Sequence, residues 1–394
     1  MSDICASDTA SLRHESATPP ASCAAGARPL KIAFVQTQAE NAGAQEVARQ
    51  LALGAERNGC AFRQIFFFRR TEAFDQESNV FYCARQRPSS PLALLRLLLE
   101  LYREFRREAP DVVVSFQHYG NVIAAPIARL AGVRLVIANQ VSPAETIPGP
   151  VRFVDKIIGQ FGAYDHIVVN SAQTEATYRD YPPRYTRRLT RIDHGFHDKS
   201  AKIDKALARR QLGVPEDAEV LGCAARLNPL KQVDLAIRLL ACNERQHLAL
   251  AGQGADYPRL DALAIELGVR DRVHFLGELD TEKMGVFLAS LDCFVFPSAT
   301  ETFGLAPVEA AQAGLPVVAN GIEVLRDVLA VDDAPCALFV DAADTQAFAA
   351  AVRRVLDDAA LRAELTGRGR RLAERYPLDK MVDDYLLLMA PTCA

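Results

Sequence analysis

Short apolar runs alternate along the chain with longer segments in which apolar residues recur every three or four positions, beginning at Leu30. Runs bounded by turn residues are typical of buried strands, and the recurring pattern is typical of helices that cover a sheet. The alternation predicts parallel βαβ units. Six candidate strands precede position 195, at 31–36, 62–68, 112–116, 134–139, 166–170 and 190–193. Six more follow a polar stretch, at 220–225, 247–251, 273–276, 293–297, 316–319 and 337–340.

The two series of strands predict an α/β protein with two Rossmann-like domains. A chain of 394 residues is also longer than one hydrophobic core commonly supports. We predict an N-terminal domain at 29–196, a second domain at 197–375 and a C-terminal helix at 376–394 that crosses back to the first domain. Residues 1–28 are rich in Ser, Ala, Thr and Pro and predict a disordered tail rather than a signal peptide. In open parallel sheets, ligands bind beyond the carboxyl ends of the strands, so we expect a site in the cleft between the domains.

Composition narrows the class of protein. Hydrophobic residues make up 49% and charged residues 24% of the chain, as in globular proteins. The nine cysteines are scattered, without a C-x-x-C pair, which predicts reduced thiols and a cytoplasmic location. No apolar segment is long enough to span a bilayer, and no nucleic-acid-binding module is present. Two arginine clusters, at 96–107 and 184–191, are explained either by solvated surfaces or by a peripheral contact with an anionic membrane.

The most informative stretch is 298–319, which joins the end of a predicted strand, a polar loop and a helix that opens near Pro307. Proline suits the first turn of a helix, where its missing N–H has no partner to lose. Free backbone N–H groups around Phe303, Gly304 and Leu305 would then form a site for an anion or a hydroxyl.

Two glutamates flank this loop. Glu301 lies in the loop and Glu309 lies eight residues later, in the first turns of the helix. A carboxylate accepts hydrogen bonds from two hydroxyls, so each could hold a sugar ring or a ribose. Glutamate is also common near helix N-termini for reasons of capping, and taken alone the pair has an equally good structural explanation.

Arg226 and Lys231 follow another predicted strand and precede a helix. Two fixed cations at the carboxyl end of a strand would neutralise a diphosphate, arginine through paired hydrogen bonds and lysine as a point charge. The alternative is a pair of surface cations in an ordinary loop.

The string from Glu301 to Ala319 resembles glycosyltransferase family 4 of the GT-B fold, which carries E-x-F-G-x-x-x-x-E followed by A-x-G-x-P-V-V-A. The matching positions are Glu301, Phe303, Gly304, Glu309, Gly314 and 316–319. Arg226 and Lys231 resemble the R-x-x-x-x-K diphosphate clamp of that family. The resemblance covers roughly residues 30–385, and its specific motifs lie at 226–319. It implies retaining transfer of a sugar from a nucleotide-diphosphate donor.

The resemblance extends to less specific loops. Family members use loops such as those at Gly252, Gly277 and Leu279 as walls for the nucleobase. In the first domain, Gly43 lies in a loop similar to the G-G-A-x-x loop of the family, although Ala42 replaces the first glycine. Gly43 would let backbone N–H groups approach a phosphate at the N-terminus of the following helix.

His118 stands where many family members carry an active-site histidine near the anomeric carbon of the donor, and a structural role is the alternative. Two further segments depart from the family. Asn139 and Gln140 stand where relatives often have a second histidine, and 194–197 replaces N-G-I-D. The acceptor is therefore not predicted beyond a saccharide or a lipid-linked compound.

No Asp-x-Asp and no histidine pair at metal-ligand spacing occurs in the sequence. We therefore predict a metal-independent site without a cofactor, in which Arg226, Lys231 and backbone amides stabilise the departing diphosphate. The predicted activity is that of a hexosyl- or related glycosyltransferase in the synthesis of cell-surface polysaccharide or glycolipid. Three alternatives remain: a nucleotide-sugar epimerase or hydrolase of the same fold, a phosphorylase that uses pyridoxal phosphate, and a non-catalytic homologue that binds nucleotide sugars.

Overall fold

A computed structural model describes residues 28–390. The disordered tail predicted at 1–28 lies, apart from Arg28, outside the described residues. The first sheet has seven parallel strands in the order β3-β2-β1-β4-β5-β6-β7, so that β2 and β3 lie on one side of β1 and β4 to β7 on the other. The strands are β1 (Lys31–Ala39), β2 (Ala61–Arg69), β3 (Val80–Ala84), β4 (Val112–Phe116), β5 (Leu135–Gln140), β6 (His166–Val169) and β7 (Leu189–Arg191).

The second sheet has six parallel strands in the order β10-β9-β8-β11-β12-β15. The strands are β8 (Glu219–Ala224), β9 (Gln246–Ala251), β10 (Val273–Gly277), β11 (Cys293–Phe296), β12 (Val317–Asn320) and β15 (Leu338–Val340). Two short strands, β13 (Ala330–Val331) and β14 (Ala334–Pro335), form a separate antiparallel pair. The predicted fold class, α/β with two Rossmann-like parallel sheets, is confirmed.

Helices cover both faces of each sheet. Those around the first sheet are α1 (Gly43–Arg57), α2 (Pro91–Glu108), α3 (His118–Ala131), α4 (Gly149–Gln160), α5 (Ala172–Thr177) and α6 (Pro183–Thr186). Those that follow are α7 (Lys205–Leu212), α8 (Val233–Leu239), α9 (Tyr257–Glu266), α10 (Thr281–Ser290), α11 (Leu305–Gln312), α12 (Glu323–Val328), α13 (Thr345–Asp357), α14 (Ala359–Arg370), α15 (Leu372–Arg375) and α16 (Leu378–Met389). Short 3-10 turns lie at Ala144–Thr146, Pro229–Lys231, Leu240–Cys242 and Arg270–Arg272.

All twelve predicted strands are present, and their ends lie within two residues of the predicted ends, except that β1 continues to Ala39. The sequence prediction missed β3 and the β13–β14 pair. Strand β3 lies at the edge of the first sheet, where four of its five residues are only partly buried. Its sequence lacks the continuous apolar pattern of a central strand. Strand β3 has a neighbouring strand on one side only, and only one of its faces is covered.

The C-terminal helix α16 packs against α1, beside the first sheet. Its buried residues share one apolar core with Ile32 and Val47 of that domain. The approach is close on both sides, since a side chain at Gly54 would overlap Val382 and one at Gly195 would overlap the backbone of Leu378. The predicted domain boundaries at 196 and 375 stay predictions.

Within residues 28–390, none of the helices is both long and apolar enough to cross a lipid bilayer.

Candidate functional site

A cleft of about 1630 Å³ lies between the carboxyl ends of the two sheets. Residues from β1, α1 and α3 line one wall, and loops that follow β8, β9, β10 and β11 line the other. The structure brings every predicted site residue to this cleft: Gly43, His118, Arg226, Lys231, Gly252, Gly277, Leu279, Glu301, Phe303, Gly304, Leu305 and Glu309. The role that each residue has there stays a prediction.

The loop between β11 and α11 is held by a glycine and a buried ring. Gly304 has a φ of +88°, in the left-handed region that favours glycine, and α11 begins at the next residue. The side chain of Phe303 is 2% exposed, and its ring lies 5.1 Å from that of Tyr376 and 5.6 Å from that of Phe196. Phe303 therefore anchors the loop, and what this segment presents to the cleft is chiefly its backbone.

Lys231 and Glu301 form an ion pair in the second-domain wall. The Nζ of Lys231 lies 2.6 Å from Oε1 of Glu301, and the two side chains are 20% and 10% exposed. A 3-10 turn carries Lys231, and the side chain of Asn228 accepts a hydrogen bond from its backbone N–H. The N–H of Ala299 donates to the carbonyl of Leu230, which joins the two loops. Lysine and glutamate thus come from loops 70 residues apart along the chain and meet at one point.

Arg226 is paired across the cleft with a carboxylate that the sequence analysis missed. Its Nη1 donates to Oε1 of Glu40 at 3.3 Å, and Arg70 lies 3.3 Å from the other oxygen of the same carboxylate. Glu40 directly follows β1 and is only 5% exposed. The guanidinium that the sequence assigns to a diphosphate is therefore already ion-paired with a carboxylate of the first domain. The position of Glu40 between β1 and the Gly43 loop is the signal that could have identified this residue.

Glu309 is also held by a residue that the sequence analysis missed. The Nζ of Lys199 lies 2.6 Å from Oε1 of Glu309 and 3.8 Å from Oε1 of Glu46. Burial raises the pKa of Glu309, and Lys199 opposes this shift only in part. Burial would lower the pKa of Lys199, but the two carboxylates raise it above its usual value. Because Glu46 lies in α1 and Glu309 in α11, this lysine links the two walls of the cleft.

His118 begins α3 and lies half-buried in the opposite wall. Burial lowers the pKa of its imidazole, which favours the neutral ring. Its Nδ1 is buried and has no hydrogen-bond partner among the described residues. The side chain also lines the cleft, where an imidazole can form a hydrogen bond with a hydroxyl group.

Three more polar atoms of the first-domain wall have no hydrogen-bond partner within residues 28–390. These are Oγ1 of Thr37, Oε1 of Gln45 and Oδ1 of Asn170, all in residues that line the cleft. Buried polar atoms are normally paired, and an unpaired group in a cleft indicates a place for a ligand or water. Together with His118 they add neutral hydrogen-bonding groups, suited to hydroxyls, to a wall that also carries the charged side chains of Glu40 and Arg70.

The predicted glycines differ in what they do. Gly252 has a φ of +130° and a Cβ there would lie 2.0 Å from the carbonyl oxygen of Ala225, so only glycine fits. Its N–H donates to the carbonyl of Gly277 at 2.7 Å. Gly43 approaches Leu305 across the cleft, where a Cβ would lie 2.6 Å from the leucine Cδ1. Leu279 is partly buried against the second-domain core. These contacts shape the cleft, and the role of Gly252, Gly277 and Leu279 beside a nucleobase stays a prediction.

The part of the chain from 28 to 390 contains no group of three or more His, Cys, Asp or Glu residues placed to hold a metal ion. This observation does not test the prediction that the reaction needs no metal. Binding experiments with and without a chelator would test it.

The chain is similar in sequence to known glycosyltransferases. Residues 204–372 match the family model described as glycosyl transferases group 1. The D-inositol 3-phosphate glycosyltransferase of Geodermatophilus obscurus is 33% identical over 285 residues, which are 69% of this chain and 60% of that protein. The protein of the same name from Acidothermus cellulolyticus is 35% identical over 290 residues, which are 69% of this chain and 62% of that protein. The chain thus spans about 60% of the length of these relatives.

Solved structures share the architecture of both domains. Anabaena HepE in complex with UDP and glucose has a TM-score of 0.79 at 19% identity, covering 92% of this chain and 100% of that one. Sucrose-phosphate synthase from Thermosynechococcus elongatus has a TM-score of 0.75 at 21% identity, covering 91% and 98%. The chain has the GT-B fold. Within it, residues 204–372 carry the sequence pattern of group 1 glycosyl transferases.

Proposed function

We propose that the protein is a retaining glycosyltransferase of family 4, which transfers a sugar from a nucleotide-diphosphate donor to a saccharide or lipid-linked acceptor in the cleft, without a bound metal. The observation that carries the proposal is the convergence of Arg226, Lys231 and the backbone at Gly304 on one wall, opposite His118 on the other. The match of residues 204–372 to group 1 glycosyl transferases supports it.

The chemistry follows from the charges. As the bond between sugar and diphosphate breaks, the sugar becomes cation-like and negative charge grows on the departing diphosphate. Arg226 and Lys231 are fixed cations that stabilise this charge, and the first N–H groups of α11 add partial positive charge. The carboxylates of Glu301 and Glu309 accept hydrogen bonds from donor hydroxyls. His118 stands near the anomeric carbon by its resemblance to the family, and the retained stereochemistry rests on that resemblance too.

The contacts of the cleft carboxylates favour transfer over the epimerase or hydrolase alternative. Such an enzyme would require an acid and a base with free carboxyl groups beside the sugar. Glu301 and Glu309 are each ion-paired with a lysine, and Glu40 with two arginines. Glu278 accepts a hydrogen bond from the backbone N–H of Asn41. A non-catalytic homologue would not need these charged residues. The presence of Arg226, Lys231, Glu301 and Glu309 in the cleft therefore supports an active enzyme.

A thermal-shift screen against UDP, GDP, ADP and their common sugar conjugates, with and without EDTA, tests the proposal. We expect one nucleotide to raise the melting temperature, because a ligand that binds only the folded state stabilises it. The rise should persist in EDTA. A response that EDTA abolishes would contradict metal independence, and no response to any nucleotide would contradict the donor site.

The first domain supports a peripheral contact with an anionic membrane, on the inner face if the protein is cytoplasmic. Of the seventeen large apolar side chains that are exposed in the described part of the chain, eleven lie between Leu92 and Phe161, on α2, α3, α4 and their ends. Arg96 and Arg106 of α2 form no ion pair with another described residue and would attract anionic lipid. Sedimentation with vesicles of phosphatidylcholine, with and without phosphatidylglycerol, is the test. Equal recovery with both vesicle types would exclude an electrostatic contact.

A further inference from the structure

The cleft extends beyond the candidate transfer site into an apolar region of the first domain, which we call the apolar arm. Its apolar lining comes from β2, α2 and α3, and includes Phe68, Leu94, Tyr119 and Ile123 together with the buried Leu97; the loop before α2 adds Arg87 and Ser90 to the cleft. Leu94 and Tyr119 remain 42% and 37% exposed, although they stand in a concave part of the surface. Large apolar side chains exposed in a concave region indicate that an apolar ligand covers them.

The apolar arm meets the candidate transfer site directly. Tyr119 follows His118 in α3, and the centroids of their rings are 4.5 Å apart. A ligand with a hydroxyl at the imidazole of His118 would therefore have its next atoms beside Tyr119 and Leu94. At its far side the apolar arm adjoins α2, whose outer face carries Leu92, Leu95 and further apolar side chains at helical spacing. The apolar surface thus continues from the cleft to the outside of the domain.

We propose that the acceptor is amphiphilic, with a polar head at His118 and a hydrocarbon chain in the apolar arm. This inference rests on the proposed function, and it decides between the saccharide and lipid-linked acceptors that the sequence leaves open. A free saccharide would leave Leu94 and Tyr119 in contact with water. An alkyl chain attached to the acceptor would cover them and leave the cleft along α2.

Calorimetric titration with two glucosides tests the proposal. The probes are n-octyl β-D-glucoside, below its micelle concentration, and methyl β-D-glucoside, which has the same head without the chain. Each buried methylene strengthens binding by about fourfold, so octyl glucoside should bind at least about tenfold more tightly even if only two methylenes are covered. Equal affinity for the two glucosides would overturn the proposal.

Two leucines on the same helix provide a matched pair of variants. Leu94 lines the cleft, whereas Leu95 is 51% exposed and does not line it. Leu94→Gln should remove most of the advantage of octyl glucoside, and Leu95→Gln should preserve it. The reverse result would place the chain on the outer face of α2 and overturn the proposal. Tyr119→Ser, on the other side of the apolar arm, is a second variant that should behave as Leu94→Gln does.

Nucleotide binding by the same preparations separates this inference from the proposed function. The donor site lies in the other wall, so Leu94→Gln should bind the stabilising nucleotide as the unchanged protein does. If no nucleotide binds while octyl glucoside still binds through Leu94, the glycosyltransferase proposal fails and the alkyl-chain site remains. If a nucleotide binds and the glucosides do not differ, the donor site remains and the amphiphilic acceptor is wrong.

Discussion

The two walls of the cleft differ in the kind of polar group that they present. The second-domain wall carries charges that are already paired, Lys231 with Glu301 and Glu309 with Lys199. The first-domain wall carries charges too, among them Glu40 and Arg70, but it adds neutral atoms that have no partner among the described residues, at Thr37, Gln45, His118 and Asn170. Fixed charges suit a ligand of constant charge such as a diphosphate, whereas neutral donors and acceptors suit hydroxyls whose positions vary between acceptors.

The difference also explains where the sequence pattern is concentrated. The family model covers 204–372, which includes Lys231, Glu301 and Glu309 of the charged wall but not Lys199, and no residue of the first-domain wall. A diphosphate imposes the same requirement on every donor site, so cations and loops recur at fixed spacing. Acceptors differ in shape, and a wall of amides and hydroxyls can serve many of them with different residues.

The largest effect should come from removing a cation of the charged wall. Arg226→Ala and Lys231→Ala should each lower kcat by about 100- to 1,000-fold, because preorganised positive charge at the departing diphosphate has about that value in comparable sites. Consumption of the nucleotide sugar that the thermal-shift screen identifies is the measurement.

Arg210→Ala is the matched control, because Arg210 is an exposed cation of the second domain paired only with Glu216. It should leave kcat unchanged. If Arg226→Ala and Lys231→Ala both behaved like Arg210→Ala, the charged wall would have no part in the reaction, and the contrast between the walls would lose its functional meaning.

A comparable loss, in stability rather than rate, is expected at the lysine that links the walls. Lys199→Met leaves the buried Glu309 without its partner, and should lower the free energy of unfolding by about 3 kcal/mol, as breaking a buried ion pair commonly does. Urea unfolding followed by circular dichroism measures it.

Lys205→Met provides the comparison, since Lys205 forms an exposed pair with Asp292. Loss of a surface pair should cost less than about 1 kcal/mol. Equal losses in the two variants would show that the link through Lys199 is an ordinary surface contact.

In the first-domain wall, His118→Ala should lower kcat by about 100-fold. A well-placed group that exchanges a proton or a hydrogen bond with the reacting atoms commonly contributes this much. Nucleotide affinity should not change, because the proposed diphosphate site lies at the other wall. Steady-state rates and calorimetric titration of the nucleotide give the two quantities. A parallel loss of nucleotide affinity would move His118 to the donor site and break the division between the walls.

The sequence was sufficient for features whose cause is local. Central strands such as β4 and β11 are short runs of almost entirely apolar residues, and their neighbours in the chain determine where they begin and end. The edge strand β3 was missed because its partly exposed residues lack that pattern. Arg226 and Lys231 were recognisable because both follow a strand within a few residues.

The partners of these residues could not be predicted, because they come from distant segments. Glu40 is 186 residues from Arg226, and Lys199 is 110 residues from Glu309. Which carboxylate meets which cation depends on how the two sheets face each other, and local periodicity carries no information about that. The same reason hid the apolar arm, whose residues come from β2, α2 and α3 and are separated by whole elements.

The smallest and most specific effect is expected at Glu40, where the walls touch. A diphosphate that binds Arg226 would lie beside the carboxylate of Glu40, which already accepts a hydrogen bond from the arginine and carries charge of the same sign as the ligand. Glu40→Gln keeps the shape of the side chain and removes that charge, so it should strengthen nucleotide binding by about fivefold, close to 1 kcal/mol. Calorimetric titration at two salt concentrations measures the change in affinity, which should shrink in high salt because ions screen the charge of Glu40.

Glu278→Gln is the control, since Glu278 also joins the walls but contacts the backbone N–H of Asn41 and not Arg226. Weaker binding in Glu40→Gln but not in Glu278→Gln would mean that the carboxylate of Glu40 helps to hold the donor. The first-domain wall would then contribute a charge to the donor site.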